Sequence, residues 1–227
     1  KDTKYNLFIM ERNEYFGSKV WPPAETETTP YYIGPEGYLE QSLPSEKGML
    51  QYDYNPADPY PSLGGTALGN NVGPARQNPN RERKDQLVFS KSIEREPLVL
   101  LGPVSATLWL SSTAECTSFF VLIQDEFPDG KIVNIQEGGS MVKTTSKEPV
   151  KAEISVWATG YQLNPGHKLR VVITSSWFPR FNRSLNNCEP ATGASIITEA
   201  KQTVMYGPET PSSINLPVYT IVSSETN

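Results

Sequence analysis

The chain has 227 residues, of which 37% are hydrophobic and 10% aromatic, which is enough apolar material for a packed core and too much for a disordered segment. The formal net charge is −5 at pH 7 and no basic run occurs, so the electrostatic footprint of a nucleic-acid-binding protein is absent. No stretch approaches the roughly 20 apolar residues that cross a bilayer, and Lys1 to Lys4 are too polar for a secretory signal, so we expect a soluble protein of unspecified compartment.

The first half of the chain has little regular pattern. Tyr5 to Met10 and Gly37 to Leu39 predict short strands. Asn55 to Pro79 is rich in Pro, Gly and Asn, a composition that also suits a linker. We expect instead a long ordered loop that wraps the fold, because three apolar residues are available to anchor it. These are Tyr60, Leu63 and Leu68.

The second half alternates between apolar and polar residues with a period of two. This pattern predicts strands with one face in a core. The apolar positions are Val104, Ala106, Leu108 and Leu110, then Val150, Ala152, Ile154 and Val156, then Leu169, Val171 and Ile173. Phe119 to Ile123 is continuously apolar and predicts a strand buried on both faces.

Turn signals separate these strands, and only two places suit a helical turn. The turns are Pro128-Asp129-Gly130, Asn164-Pro165-Gly166 and Gly207-Pro208. The helical turns would lie at Asp85 to Phe89 and at Ala191 to Ala200. Short strands joined by turns favour an all-β fold, a jelly-roll β-sandwich with long loops, over alternating βαβ units. We expect residues 1–227 to form one domain.

The residues of a self-contained hydrolase are missing. No Gly-x-Ser-x-Gly elbow occurs, and the nearest strings, at Gly138 and Gly193, lack the second glycine. The one histidine, His167, follows Pro165-Gly166 at the start of a strand, where a packed, hydrogen-bonded turn residue is expected rather than a general base. Cys188 as nucleophile would need His167 as its base, and no motif supports that pairing. We expect no catalytic residues here.

Metal and cofactor sites are equally unsupported. One histidine and two scattered cysteines give no zinc spacing. The acidic run from Asp125 to Gly130 offers oxygens for calcium but lacks the alternating ligands of an EF-hand, so a polar hairpin turn is expected. Cys116 and Cys188 are able to pair, but we expect two ordinary thiols, because a core of this size needs no disulfide.

Distinctive short motifs occur in order along almost the whole chain. They are Trp21-Pro22-Pro23, Pro30 to Ile33, Tyr52 to Gly65, Leu101 to Val104, Trp109 to Ser112, Phe127 to Gly130, Pro165 to His167, Ser175 to Arg183, Pro211-Ser212 and Leu216 to Val218. Together they resemble the C-terminal domain of the X-Pro dipeptidyl-peptidase, cocaine-esterase and glutaryl acylase (CocE/NonD) group of serine hydrolases. The string from Tyr52 to Gly65 is close to that family's "YDPADPVPTLGG".

The resemblance implies a galactose-binding-domain-like jelly roll at the C-terminal end of a larger enzyme. In that group an α/β-hydrolase domain and a helical cap come first, and the whole catalytic triad lies in the part that precedes the jelly roll. His167 matches the family's structural Gly-His turn. Ser118 stands where the family usually has an aspartate and Met141 near a usual arginine. If those two family residues form an ion pair, this chain has lost both partners together, and no buried charge is left without its partner.

The resemblance favours a non-catalytic structural and docking domain. Its partner would be the catalytic α/β-hydrolase domain of the same chain, with a homodimer also open. The alternative is a carbohydrate-binding jelly roll that uses exposed aromatics among Trp21, Trp109, Trp157 and Trp177 or the Tyr52 to Tyr54 pair. The candidate structural and docking residues are His167, Trp177, Phe178, Arg180, Phe181 and Arg183. We expect Phe178 and Phe181 to point inward, Arg180 to join an internal polar network, and Trp177 to reach the docking face. In the alternative packing all three rings turn into the sandwich and the two arginines pair with local acids such as Asp58 or Asp85.

Overall fold

A computed structural model describes residues 3–66, 72–144, 148–189 and 196–220. Within these ranges the chain forms strands and two short 3-10 turns, at Pro35–Gly37 and Asn78–Asn80. The strands are β1 (Tyr5–Ile9), β2 (Glu14–Ser18), β3 (Thr26–Ile33), β4 (Leu39–Glu40), β5 (Gly48–Tyr54), β6 (Gln86–Ser92), β7 (Leu98–Ser112), β8 (Cys116–Glu126), β9 (Ile132–Lys143), β10 (Val150–Leu163), β11 (Lys168–Thr174), β12 (Ala200–Tyr206) and β13 (Ser213–Tyr219).

Two antiparallel sheets form a β-sandwich of the jelly-roll type. The larger sheet has the strand order β4-β3-β13-β7-β12-β5, and β10 pairs with the other edge of β7. The long strand β7 pairs with three other strands of this sheet. One of its edges pairs with β10, and β13 and β12 pair with successive parts of the other edge. The smaller sheet has the order β6-β11-β8-β9. The all-β sandwich expected from the sequence is therefore confirmed.

The core lies between the two sheets and is filled by the alternating residues. Leu108 and Leu110 from β7, and Val171 and Ile173 from β11, are fully buried in one cluster. Strand β8 is buried on both faces, as predicted, since Phe119 joins this cluster while its neighbour Phe120 faces the opposite side of the sheet. The period-two pattern thus identified the core strands correctly.

Two further layers cover the outer faces of the sandwich. The β1–β2 hairpin packs Leu7, Ile9 and Phe16 against the outer side of β7. The loop between β5 and β6 places Tyr60, which is 1% exposed, on the outer face of the smaller sheet. The described parts of this stretch, residues 55–66 and 72–79, are therefore packed on the sandwich as an ordered loop rather than extended as a linker. Leu63 is half-buried, and Leu68 lies outside the described residues.

Neither predicted helical turn is found where the structure describes the chain. Gln86–Ser92 forms strand β6, which pairs with β11 along its whole length, because hydrogen bonds to β11 override the weak local helical preference. Residues 191–195 lie outside the described residues, and β12 begins at Ala200. The predicted strand at Gly37 to Leu39 starts later, at Leu39, after the first 3-10 turn. In the described ranges no helix is long and apolar enough to cross a membrane.

Candidate docking site

His167 holds a buried carboxylate in place. The turn before β11 closes with a hydrogen bond from the His167 N–H to the Asn164 carbonyl, at 3.1 Å. The ring atom Nδ1 lies 2.9 Å from Asp125 Oδ1, and the Tyr161 hydroxyl donates to Asp125 Oδ2, also at 2.9 Å. The Phe127 ring packs on the imidazole, with the ring centroids 4.5 Å apart. His167 is therefore the hydrogen-bonded turn residue that the sequence predicts.

This arrangement matches the acid and the base of a catalytic triad but lacks a nucleophile in the part of the chain that the structure describes. Asp125 is fully buried and His167 is 8% exposed. The His167 side chain hydrogen-bonds to Asp125 alone, and no serine, threonine or cysteine side chain of the described residues bonds to its ring. Burial raises the pKa of Asp125, while the hydrogen bonds from His167 and Tyr161 lower it. Sequence reasoning missed the role of Asp125, because its partner Tyr161 lies on another strand.

The segment from Ser175 to Arg183 lies on the outer face of the smaller sheet. Trp177 is 1% exposed and packs on Tyr60, while Phe178 is 40% exposed. The expected orientation, with Trp177 outward and Phe178 inward, is therefore wrong. The reason is a short pairing with the long loop: the Phe178 N–H donates to the Tyr60 carbonyl and the Ser62 N–H to the Phe178 carbonyl. That pairing fixes Trp177 beneath the loop and Phe178 above it.

The two arginines of this segment do not pair with Asp58 or Asp85, as the alternative packing would require. Both acids form salt bridges with Arg83 instead, at 2.8 Å for Asp85 and 3.2 Å for Asp58. Arg183 Nη1 instead donates to the Pro56 carbonyl at 2.7 Å. Arg180 packs against the ring of Phe181, with its guanidinium carbon 5.0 Å from the centroid. The Phe181 ring in turn contacts Phe120, so Phe181 turns inward as predicted.

Arg180 and Trp177 lie close to a buried acid that the sequence did not single out, Glu137 on β9. Its Oε1 accepts a hydrogen bond from the Thr66 N–H at 3.1 Å. Burial raises the pKa of Glu137. Hydrogen bonds from Thr66, the positive charge of Arg180 and the neighbouring Trp177 side chain lower it, but by less. Three buried atoms of the group have no hydrogen-bond partner in the part of the chain that the structure describes: Glu137 Oε2, Trp177 Nε1 and Arg180 Nε. The segment therefore covers a polar cluster whose hydrogen bonding is incomplete.

A disulfide bond joins Cys116 to Cys188, so the expectation of two free thiols is wrong. The two Cα atoms are 5.0 Å apart, and Asn186 also ties the segment to the start of β8 by accepting a hydrogen bond from the Thr117 hydroxyl. A large core does not require the bond, but the bond ties residues 175–189, which form no strand, to the start of β8. Ser118 and Met141, the two residues that depart from the family pattern, lie directly opposite each other on β8 and β9.

Among the described residues no group of three or more His, Cys, Asp or Glu side chains is arranged to hold a metal ion. The acidic run after β8 forms the hairpin turn that the sequence predicts. The Gly130 N–H donates to the Phe127 carbonyl, and Asp129 accepts from the Lys131 N–H at 2.9 Å. Asp129 is therefore used to close its own turn.

Comparison with known proteins places these features in a wider group. A family model described as the X-Pro dipeptidyl-peptidase C-terminal non-catalytic domain matches residues 3–215. The chain is 35% identical to cocaine esterase of Rhodococcus sp. over 95% of its own length and 42% of that protein. Among solved structures, an aminopeptidase from a marine sediment Thaumarchaeota archaeon aligns with a TM-score of 0.85 at 22% identity, over 95% of this chain and 40% of that one.

A second solved structure, an α-amino acid ester hydrolase, gives a TM-score of 0.83 at 22% identity and covers 94% of this chain and 40% of that one. At this level of identity the two structural matches establish the fold. The chain spans about two fifths of the length of the relatives it matches.

Proposed function

The chain belongs to the family of X-Pro dipeptidyl-peptidase C-terminal non-catalytic domains, and from this premise we propose that it serves as the structural and docking domain of a serine hydrolase. The parent protein would act on peptide, ester or acyl-amide bonds. The observation that carries the proposal is the match to cocaine esterase, which covers 95% of this chain but 42% of that enzyme. The remainder of the parent would contain the catalytic α/β-hydrolase domain and its cap.

The geometry of the described residues supports a role without catalysis. The single histidine is buried and hydrogen-bonded to Asp125, and the two cysteines are joined in a disulfide bond. A hydrolytic site needs an exposed nucleophile beside a free base. We propose that residues 1–227 fold as one domain, supported by the cluster of core residues drawn from both sheets.

The docking role is assigned to the segment from Ser175 to Arg183. Phe178 supplies exposed apolar area, and Arg180 lies two residues on, with a buried Nε that has no hydrogen-bond partner among the described residues. Trp177 and Phe181 hold the segment from within, and Arg183 fixes its end to the long loop. His167 stabilises the fold at a distance. Aromatic and arginine side chains of this kind are frequent at interface centres.

The direct test uses the portion of the parent that precedes this chain, produced separately. We expect it to form a one-to-one complex with the chain in size-exclusion chromatography, and Phe178→Ala to weaken that complex. Lys201→Ala, an exposed change on β12, is the matched control. Failure of the two unmodified pieces to associate would contradict the docking role. Sedimentation of the full parent tests whether it also forms a homodimer.

A further inference from the structure

Trp157 occupies an unusual position on β10. The pairing of β10 with β7 shifts register between Ser155 and Ala158, and within this bulge Trp157 has a backbone φ of 66°. A bulky residue in the left-handed region costs about 1–3 kcal/mol. The side chain is nevertheless 60% exposed, so packing inside the described chain does not offset the strain. Strained residues of this kind concentrate at functional sites.

The β1–β2 hairpin, whose first strand contacts β10, carries two more exposed rings. Phe8 is 42% and Tyr15 71% exposed, and their ring centroids are 5.1 Å apart. The hairpin is attached to β10 by a hydrogen bond from the Met10 N–H to the Gly160 carbonyl at 2.9 Å. A group of exposed aromatics on adjoining elements is typical of an interaction surface.

A cavity of about 220 Å³ lies beside these elements. Its walls combine Met10 from the end of the hairpin, Thr159 and Gly160 from β10, Thr66 from the long loop and Glu137 from β9. Two lining residues carry buried oxygens with no hydrogen-bond partner among the described residues, Thr159 Oγ1 and Glu137 Oε2. Native buried polar atoms are rarely left unpaired. Glu137 is the one charged residue that lines the cavity within the described ranges.

We propose that this hairpin–bulge face, formed by Phe8, Tyr15, Trp157 and the adjoining cavity, is covered by the preceding catalytic domain, which inserts a Lys or Arg side chain into the cavity. The inference rests on the proposed docking function and names a second part of its interface. A cationic donor fits because Thr159 Oγ1 and Glu137 Oε2 both accept hydrogen bonds, and because no Lys, Arg or His among the described residues lines the cavity itself.

Two observations select the catalytic domain as the occupant. The relatives that this chain matches are more than twice its length, and a domain that precedes this one joins the chain just before β1, the first strand of the hairpin. The face is also continuous with the segment proposed to dock, because Glu137 lines the cavity on one side and interacts with Arg180 and Trp177 on the other. One partner can therefore cover both.

The test measures binding of the separately produced preceding portion to the chain by calorimetry. Trp157→Ala should weaken the Kd by at least about tenfold, the size of effect seen at interface anchors. Met49→Ala is the matched control, since Met49 is 60% exposed on β5, the far edge strand of the larger sheet, and should change the Kd by less than about twofold. Glu137→Gln should weaken binding and reduce its dependence on salt.

Trp157→Gly separates docking from folding. Glycine adopts a positive φ freely, so this variant should unfold at the same or a higher urea concentration than the unmodified chain and still bind at least about tenfold more weakly. If the unmodified chain binds and both Trp157 variants bind equally well, this inference is overturned while the docking function stands. If the unmodified chain does not bind, both are overturned. A saturable fluorescence change with one sugar of a glycan panel, lost in Trp157→Ala, would overturn it in favour of carbohydrate binding.

Discussion

Asp125 and Glu137 are both buried acids on neighbouring strands of the smaller sheet, but their surroundings differ. Asp125 has both carboxylate oxygens occupied, by His167 and Tyr161. Glu137 has one oxygen occupied by Thr66 and the other without a partner in the described ranges. Complete hydrogen bonding supports a structural role for Asp125, whereas the unpaired oxygen of Glu137 can accept one more donor, from water or from a partner.

His167→Ala should lower the free energy of unfolding by about 2 kcal/mol, because it leaves one side of the buried Asp125 carboxylate without a donor. Urea unfolding at pH 7 measures the change. Lys168→Ala, an exposed change at the next residue, is the control and should leave the value within about 0.5 kcal/mol. A His167→Ala chain as stable as the unmodified one would show that the contact with Asp125 does not support the fold.

Glu137→Gln should change how stability depends on pH. The pKa of Glu137 is raised in the folded chain, mainly by burial, so the folded state keeps the proton to a higher pH than the unfolded state. Its ionisation therefore destabilises the fold as the pH rises through the folded value, and the effect is absent below the unfolded pKa, about 4.3. The stability of the variant minus that of the unmodified chain should be larger at pH 7 than at pH 4.

The pH comparison isolates Glu137 because the other buried acid is present in both proteins. Asp125 also has a raised pKa, and its contribution cancels in the difference. Urea unfolding of both chains at the two pH values gives the result. A difference that does not change with pH would mean that Glu137 titrates alike in the folded and unfolded chain.

Single residues in regular strands were predictable, and those that depend on distant partners were not. His167 was assigned correctly because the Pro165-Gly166 turn and the following strand are local signals. The sequence predicts the wrong orientation for Trp177 and Phe178, because that orientation is set by hydrogen bonds to Tyr60 and Ser62, which lie far away in the sequence. Glu137 was overlooked because nothing near it in the sequence indicates that Thr66 and Arg180 surround it.

At the scale of elements, the irregular segment between β11 and β12 is stabilised by contacts at both ends. Its start is held by Trp177 under the long loop, and its end by the Cys116–Cys188 bond and by Asn186, whose side chain also donates to the Thr198 carbonyl at 2.7 Å. Sequence periodicity located the strands of the core, but it contains no information on how such a segment packs, because the segment has no repeat.

Removing the disulfide should destabilise the chain without changing its fold. The bond closes a loop with a sequence separation of 72, for which the chain-entropy estimate is about 4 kcal/mol. We expect the double variant Cys116→Ser/Cys188→Ser to lose roughly that amount in urea unfolding, and to keep its native circular dichroism because Asn186 still anchors the segment. Reductant should lower the stability of the unmodified chain but not of the variant. Equal stability of the two chains would refute the role given to the bond.

Trp177 and Phe178 form a matched pair for testing the packing of the segment. Trp177→Ala should cost about 3–5 kcal/mol, because it empties a site beneath the long loop. Phe178→Ala should cost less than about 1 kcal/mol, since its ring is 40% exposed. Thermal unfolding of both variants decides the matter. If Phe178→Ala destabilises the chain more than Trp177→Ala, then Phe178 is the buried ring and Trp177 the exposed one, as the sequence predicts.

At the scale of the whole molecule, the chain is a sandwich whose outer faces are covered by its own hairpin, long loop and irregular segment. Among the described residues, exposed aromatic rings occur on these covering layers, with Phe8 and Tyr15 on the hairpin and Phe178 on the segment, and also on the bulge of β10, at Trp157. A non-catalytic domain that is one part of a larger hydrolase would bury such groups against its neighbour.

The measurement that most directly tests this account is active-site labelling of the parent protein with a fluorophosphonate, which reacts with an activated serine. The labelled residue is then located by mass spectrometry. We predict that the label lies on a serine of the portion that precedes this chain, and that the isolated chain, at high concentration, takes up none. Labelling of a serine within residues 1–227, lost in His167→Ala, would contradict the central claim that this domain takes no part in the chemistry.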